Sequence, residues 1–287
     1  MTSKLEIIGM ELLKRIHLHD YDSGGVFTLT TGAQGSAKSA ILLSFTDYTI
    51  KHHPNEKIFW SECYKAPLQI FKLKTKKYDF YIKEDTHLIF RERNKKLEQK
   101  KIPYTFFKTY DELYELSKPG RANVVFFGNR LYWMDYIEYL LEIGEWTHIF
   151  IDEFSEICPA YQSGDMWKRI KDFSNMKLKD IRKCMLNVHT NTQQPPNIDD
   201  SARKQVMINI FLPGARPGKN SRVMQKAVDN LTQDKVYGNS AYLDSSGKFG
   251  RTQFTDIYKP DRKYHIDITY NGMGERPYLI SSLKGET

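Results

Sequence analysis

The stretch "VFTLTTGAQGSAKSAILLSF", Val26–Phe45, decides how this chain is read. It opens as an apolar, β-branched run, turns at two glycines, and continues from a lysine and a serine into an apolar helical pattern. A phosphate-binding loop needs this order of strand, loop and helix, because its backbone N–H groups must point inward and the helix must add its positive N-terminal end. Gly32 and Gly35 permit the turn, and Ala33, Gln34 and Ser36 supply further amides. Lys38 would reach the β- and γ-phosphates of ATP, and the Ser39 hydroxyl would be a ligand of Mg2+. The pattern G-x-x-x-x-G-K-[ST] is broken once, by Ala37 in place of the glycine before the lysine. Its methyl group falls close to where a β-phosphate oxygen must sit, which leaves affinity open. A bare Gly-Ser loop capping a helix is the competing explanation.

The rest of the chain repeats the same alternation. Runs at 26–31, 57–62, 123–128, 148–153, 185–191 and 206–212 are β-branched or aromatic and mostly unalternated, as strands buried on both faces are. Helix-like stretches at 38–52, 131–143 and 165–183 separate them. The expected fold class is α/β, a doubly wound and mainly parallel sheet of P-loop NTPase type. Residues 65–101 break the rhythm and read as a basic insertion. Beyond about 230 the composition shifts to Gly, Asp, Ser and Tyr with strand-like pieces. The division expected is a core over 1–230 and a β-rich appendage over 231–287.

Two further clusters carry chemistry. "WTHIFIDEFSEICP" places Asp152 and Glu153 at the C-terminal end of an apolar strand, the ligand edge of an open α/β sheet. Asp152 would hold Mg2+ through water, and Glu153 would orient and deprotonate the attacking water. Glu156 reads as a helix-start charge. "MLNVHTNTQQPPNIDDSAR" starts apolar, finishes polar and is stopped by Pro195 and Pro196. A neutral amide there would sense the γ-phosphate; a polar turn is the alternative.

The Ala-Lys-Ser ending of the loop resembles those of the MoxR and minichromosome-maintenance ATPases, families with hydrolysing members. The Thr-Gln ending of the polar strand, followed by proline and "IDDSAR", resembles the HerA–FtsK superfamily of P-loop ATPases. That superfamily includes zonular-occludens-toxin-like assembly proteins and viral genome-packaging ATPases. The resemblance spans about 24–215 and rests on three short motifs. It implies an ATP hydrolase in which Lys38, Ser39, Asp152, Glu153 and Gln193 handle the nucleotide. It also implies a homo-oligomeric ring, with Arg203 or Arg216 reaching a neighbour's site, acting on DNA with a viral capsid or assembly partner. Ala37, the insertion and the tail depart from the pattern.

The 43 Lys and Arg exceed the 35 Asp and Glu, giving a net charge of +8 over 287 residues. The charge is polarised: 65–101 holds 12 basic and 5 acidic residues, whereas 131–165 holds 8 acidic and no basic ones. The basic stretch interleaves Phe71, Tyr78, Phe80, Tyr81 and Phe90, a composition suited to DNA, with a solvated face as the alternative. The three cysteines lack metal-ligand spacing, as do His17, His19, His52, His53 and His189. With no apolar run long enough for a membrane span, the expected location is the cytoplasm, of a host cell if the chain is viral. An AAA+ ATPase would share Lys38, Asp152 and Glu153, use Asn191 as sensor and add a helical lid. A non-catalytic, nucleotide-switched assembly protein is a second rival, and a metabolite kinase a third, disfavoured because such enzymes rarely pair an Asp-Glu strand end with a basic flank.

Overall fold

Burial on both faces organises the molecule. In the computed structural model, which describes residues 6–8, 24–61, 69–84, 86, 88–92, 103–161, 163–217, 225–232, 239–244, 249–253 and 266–270, apolar runs form the inner strands of one large sheet. The strands are β1 (Glu6–Ile8), β2 (Phe27–Thr31), β3 (Lys57–Ser61), β4 (Tyr78–Lys83), β5 (Leu88–Glu92), β6 (Thr105–Phe107), β7 (Ala122–Phe126), β8 (Thr147–Ile151), β9 (Leu186–Thr192), β10 (Ile208–Phe211), β11 (Asn239–Asp244), β12 (Phe249–Gln253) and β13 (Ile266–Tyr270). The helices are α1 (Lys38–His52), α2 (Tyr110–Leu116), α3 (Tyr132–Ile143), α4 (Gly164–Asp172), α5 (Asp200–Lys204) and α6 (Gln225–Thr232).

The order across the main sheet is β1-β12-β11-β10-β2-β9-β8-β3-β7-β4-β6. From β10 to β6 every pairing is parallel. Every residue of β2, β7, β8 and β9 is buried, including the polar Thr28, Thr30, Asn187, His189 and Asn191 that alternate with apolar residues in β2 and β9. Neighbouring residues still point to opposite faces. Ile58, Trp60, Phe150 and Phe126 pack under Ile41, Leu42 and Phe45 of α1. Phe59, Ile149, Ile151 and Val125 pack on the other face with Trp133, Tyr136 and Ile137 of α3 and Ile170 of α4. Helices thus cover both faces, as doubly wound architecture requires. Truncating a ring such as Phe150 to alanine would cost about 3–5 kcal/mol. His189 is one of these core residues: it stacks on Phe150 with centroids 4.8 Å apart, and its Nδ1 lies 3.1 Å from Thr28 Oγ1.

Three sequence expectations change. The stretch 65–101 is not wholly an insertion, since β4 lies within it and pairs in parallel with β7 and β6; its alternating Tyr-Asp-Phe-Tyr-Ile is a sheet strand. The sheet does not stop at 230. β11 pairs antiparallel with β10 and β12 with β11, extending the core sheet, while β13 pairs with β5 in a separate ribbon. The helical stretch 165–183 is α4 followed by a π turn, Phe173–Lys177, and a 3-10 segment, Leu178–Lys183. That last segment runs against the start of β2: a Cβ on Gly24 would lie 1.3 Å from the Arg182 carbonyl oxygen, so only glycine fits.

Candidate nucleotide site

The strand order brings three chain segments to one edge. β9 lies between β2 and β8, so the loop after β2, the acids after β8 and the polar end of β9 meet at their C-terminal ends. The 32–37 loop turns tightly over the sheet. A Cβ on Gly32 would sit 2.3 Å from Ser36 Oγ and 2.8 Å from Leu212 Cβ, so the first glycine is required by close approach. Ala37 has φ 81° and ψ 15°, in the left-handed region. An L-residue with a Cβ is disfavoured there by roughly 1–2 kcal/mol. The glycine missing from the motif is therefore missing at a position whose backbone favours glycine, a cost additional to the crowding of a phosphate.

Lys38 is buried, and its Nζ donates to the carbonyls of Gly32 at 3.0 Å and Ala33 at 2.8 Å. Burial lowers its pKa, opposed by the nearby charges of Glu153 and Asp152. Ser39 Oγ donates to Asp152 Oδ1 at 3.0 Å. Asp152 is buried too, and desolvation raises its pKa; hydrogen bonds from Asn191 and Ser39 pull the other way. Asn191 ties the acids to β9, its Nδ2 donating to Asp152 Oδ1 at 2.5 Å and its Oδ1 accepting from the Glu153 N–H at 2.9 Å.

Glu153 stands at φ 66°, a second left-handed residue without glycine's freedom. Its carboxylate is held from three directions. Oε1 accepts from Ser155 Oγ and Thr192 Oγ1, each at 2.5 Å, and Oε2 accepts from the Gln193 N–H at 3.3 Å. Gln193 thus reaches the acid through its backbone while its side chain is exposed, and the neutral side-chain amide beside both acids belongs to Asn191. Thr192 and Ser155 are the contacts that sequence reasoning missed. Thr192 was legible as the last residue of the polar strand; nothing distinguished Ser155 from a turn residue.

The two arginines differ. Arg203, in α5, donates to Asp200 Oδ1 at 2.7 Å within its own helix. Arg216 is exposed in the turn after β10, whose Pro213 carbonyl accepts from the Ala33 N–H at 3.2 Å. Arg130, after β7, pairs with Glu156, so that acid is an ion-pair partner and not only a helix-start charge.

Chemically, the edge combines a cation, two carboxylates, an amide and hydroxyls. Ser36 Oγ and Thr31 Oγ1 are buried without a hydrogen-bond partner, polar atoms that suit an oxygen-rich ligand. Ser39 and Asp152 supply the hard oxygen donors Mg2+ prefers.

Comparison with solved structures agrees with this fold. The genome packaging NTPase B204 from Sulfolobus turreted icosahedral virus 2, in complex with AMPPCP, is similar at a TM-score of 0.52 and 13% identity, over 82% of this chain and 98% of that one. The DNA-packaging ATPase B204 from Sulfolobus turreted icosahedral virus gives 0.50 and 12%, over 83% and 99%. The fold is that of a P-loop NTPase. The N-terminal domain of zonular occludens toxin from Neisseria meningitidis also matches, at 0.33 and 16%, over 83% and 95%. No protein-family model and no curated protein sequence matches the chain. Among the described residues, no helix is long and apolar enough to cross a membrane.

Proposed function

We propose that this chain is a Mg2+-dependent ATPase that translocates or packages DNA as a ring of identical copies in the cytoplasm, the host's if the chain is viral. The Ser39–Asp152 contact carries the proposal, because it joins the loop hydroxyl and the strand-end carboxylate at hydrogen-bond distance with Lys38 and Glu153 beside them. Bound Mg2+-ATP would supply the phosphoanhydride and the cation that balances its charge.

The chain's own residues divide the work. Amides of the 32–37 loop and Lys38 bind phosphate oxygens; Ser39 and Asp152 hold the cation. Glu153 takes the proton of the attacking water, and Ser155, Thr192 and the Gln193 amide orient it. Asn191 positions both acids. The DNA and capsid partners follow from the packaging roles of the B204 proteins, whose fold this chain shares. Arg216, exposed on the same sheet edge, is better placed than Arg203 to reach a neighbouring copy.

An AAA+ assignment would require a helical lid after the core. The described residues there form the eight-residue α6 and then two strands that rejoin the sheet. The nucleotide-switched scaffold remains a second reading, favoured by the left-handed Ala37. ATP turnover by the purified chain, with and without single- and double-stranded DNA, separates the two. A DNA-stimulated ATPase supports the motor; nucleotide binding without turnover under any condition supports the scaffold.

A further inference from the structure

Past the acidic strand end, the chain presents a surface that the nucleotide site does not use. The helical stretch from α4 through Lys183 is amphipathic, with Ile170, Phe173, Leu178 and Ile181 buried in the core. Its outer face carries Trp167, 47% exposed, and Met176, 57% exposed, interspersed with Lys168, Lys179 and Arg182. Nearby, Tyr161 is 81% exposed. The cations on the flank of this face are spent internally: Arg169 binds Asp135 and Glu138, and Lys171 binds Asp199 at 2.5 Å. Among the described residues, Lys168, Lys179 and Arg182 have no carboxylate in ion-pair range. The ridge therefore keeps cations beside an exposed indole, a large apolar group that water does not favour.

We infer that this ridge is a nucleic-acid contact, Lys168, Lys179 and Arg182 meeting backbone phosphates and Trp167 stacking on an unpaired base. Charge complementarity selects a polyanion. The indole selects one with an accessible base face, since stacking on an aromatic ring needs no particular sequence. A membrane surface fits less well, because a helix lying in lipid turns its broad apolar face outward and here that face is in the core. A second copy of the chain fits less well too. The acidic complement it would offer on α3 includes Asp135 and Glu138, which already hold Arg169. The other basic stretch, 65–101, is described only in part, over 69–84, 86 and 88–92, whereas 163–183 is described throughout.

The ridge is also wired to the nucleotide edge. Lys171 binds Asp199, whose N–H donates to the Cys158 carbonyl, and Pro159 pairs with Ile198 in a short antiparallel bridge. The exits of β8 and β9, the two strands that carry Glu153 and Gln193, are thereby joined to the base of the ridge.

This placement deepens the DNA part of the proposed function and rests on it for the partner, but its test needs no nucleotide. Anisotropy of labelled oligothymidine and of a short duplex would be followed against salt, using the full chain. For Lys168→Ala, Lys179→Ala and Arg182→Ala combined, affinity for oligothymidine should fall at least about tenfold, and the slope of log K against log salt should shrink by about two. For Trp167→Ala, oligothymidine affinity should fall about tenfold with duplex affinity little changed. Retained Mg-ATP binding in each variant would show that the nucleotide site is intact and the loss local. Wild-type affinity and slope in both variants would overturn the assignment. So would binding lost only on changing Lys74, Lys76 and Lys77, or a ridge that matters only for anionic vesicles or self-association.

Discussion

The Thr192 hydroxyl donates to Glu153 Oε1 at 2.5 Å, joining the last residue of β9 to the acid that follows its neighbour β8. If this bond aims the carboxylate, Thr192→Val should lower turnover about tenfold, near 1.4 kcal/mol of transition-state stabilisation, with nucleotide affinity unchanged. Thr192→Ser keeps the hydroxyl and should restore the rate. Equal rates for wild type and the valine variant in single-turnover assays would remove Thr192 from the positioning set.

Lys38→Ala and Glu153→Gln should fail differently. The first removes the buried cation that would meet phosphate, so calorimetry should find Mg-ATP binding lost. The second keeps size and hydrogen bonding but not basicity, so binding should survive while turnover falls by about 100-fold or more. A glutamine variant that bound poorly yet still hydrolysed would show that Glu153 is not the base.

Replacing Ala37 by glycine relieves the left-handed strain at φ 81° but adds freedom to the unfolded chain. The net expectation is a gain of up to about 1 kcal/mol in denaturant unfolding, with Mg-ATP binding tightened or unchanged. Ala37→Val, β-branched at the same φ, should be less stable than wild type. A wild type that binds no Mg-ATP while the glycine variant binds would make the native site a relic.

Burial raises the Asp152 carboxyl above the ordinary aspartate range. The folded protein then holds that proton to a higher pH than the unfolded chain does. This contribution to stability is present at low pH and is lost as pH rises through the raised value. Asp152→Asn should thus match wild type near the ordinary aspartate range and exceed it in urea midpoint at about pH 8, while losing Mg2+-dependent nucleotide affinity. A wild type more stable than the variant at both pH values would refute the desolvation account.

If Arg216 completes a neighbour's site, Arg216→Ala should lower turnover without weakening nucleotide binding, and Arg203→Ala should be nearly silent because Asp200 already holds Arg203. Mixing Arg216→Ala with Lys38→Ala subunits gives a sharper readout. Hydrolysis regained in the mixture would place the arginine in trans, and none would leave it a surface residue.

How much was legible depended on whether a signal was local. Gly32, Lys38 and Ser39 announced themselves because a loop that cradles phosphate has few sequence solutions. Asp152 and Glu153 did so because acids directly after a buried strand are costly and conspicuous. β4 was hidden by the lysines around it, since Lys74, Lys76 and Lys77 precede a run whose Phe80 and Ile82 turn inward. The contacts of Asn191 and Thr192 with Asp152 and Glu153 depend on β9 lying between β2 and β8, an order fixed by long-range packing. Ala37 showed the converse: the missing glycine was visible, while its left-handed backbone is set by the folded loop.

The margins of the main sheet bear on how copies of this chain can meet. Its outermost described strands, β1 and β6, have three residues each, although the inner ones run to seven. At the β6 margin, where the described residues on either side are not strand, adding a strand from a neighbouring molecule would gain only a few backbone hydrogen bonds, and short edges are a known protection against runaway lateral growth. If copies of the chain assemble, this margin directs them away from continuous sheet formation and toward helix faces and loops, contacts that can break and re-form without unzipping the core.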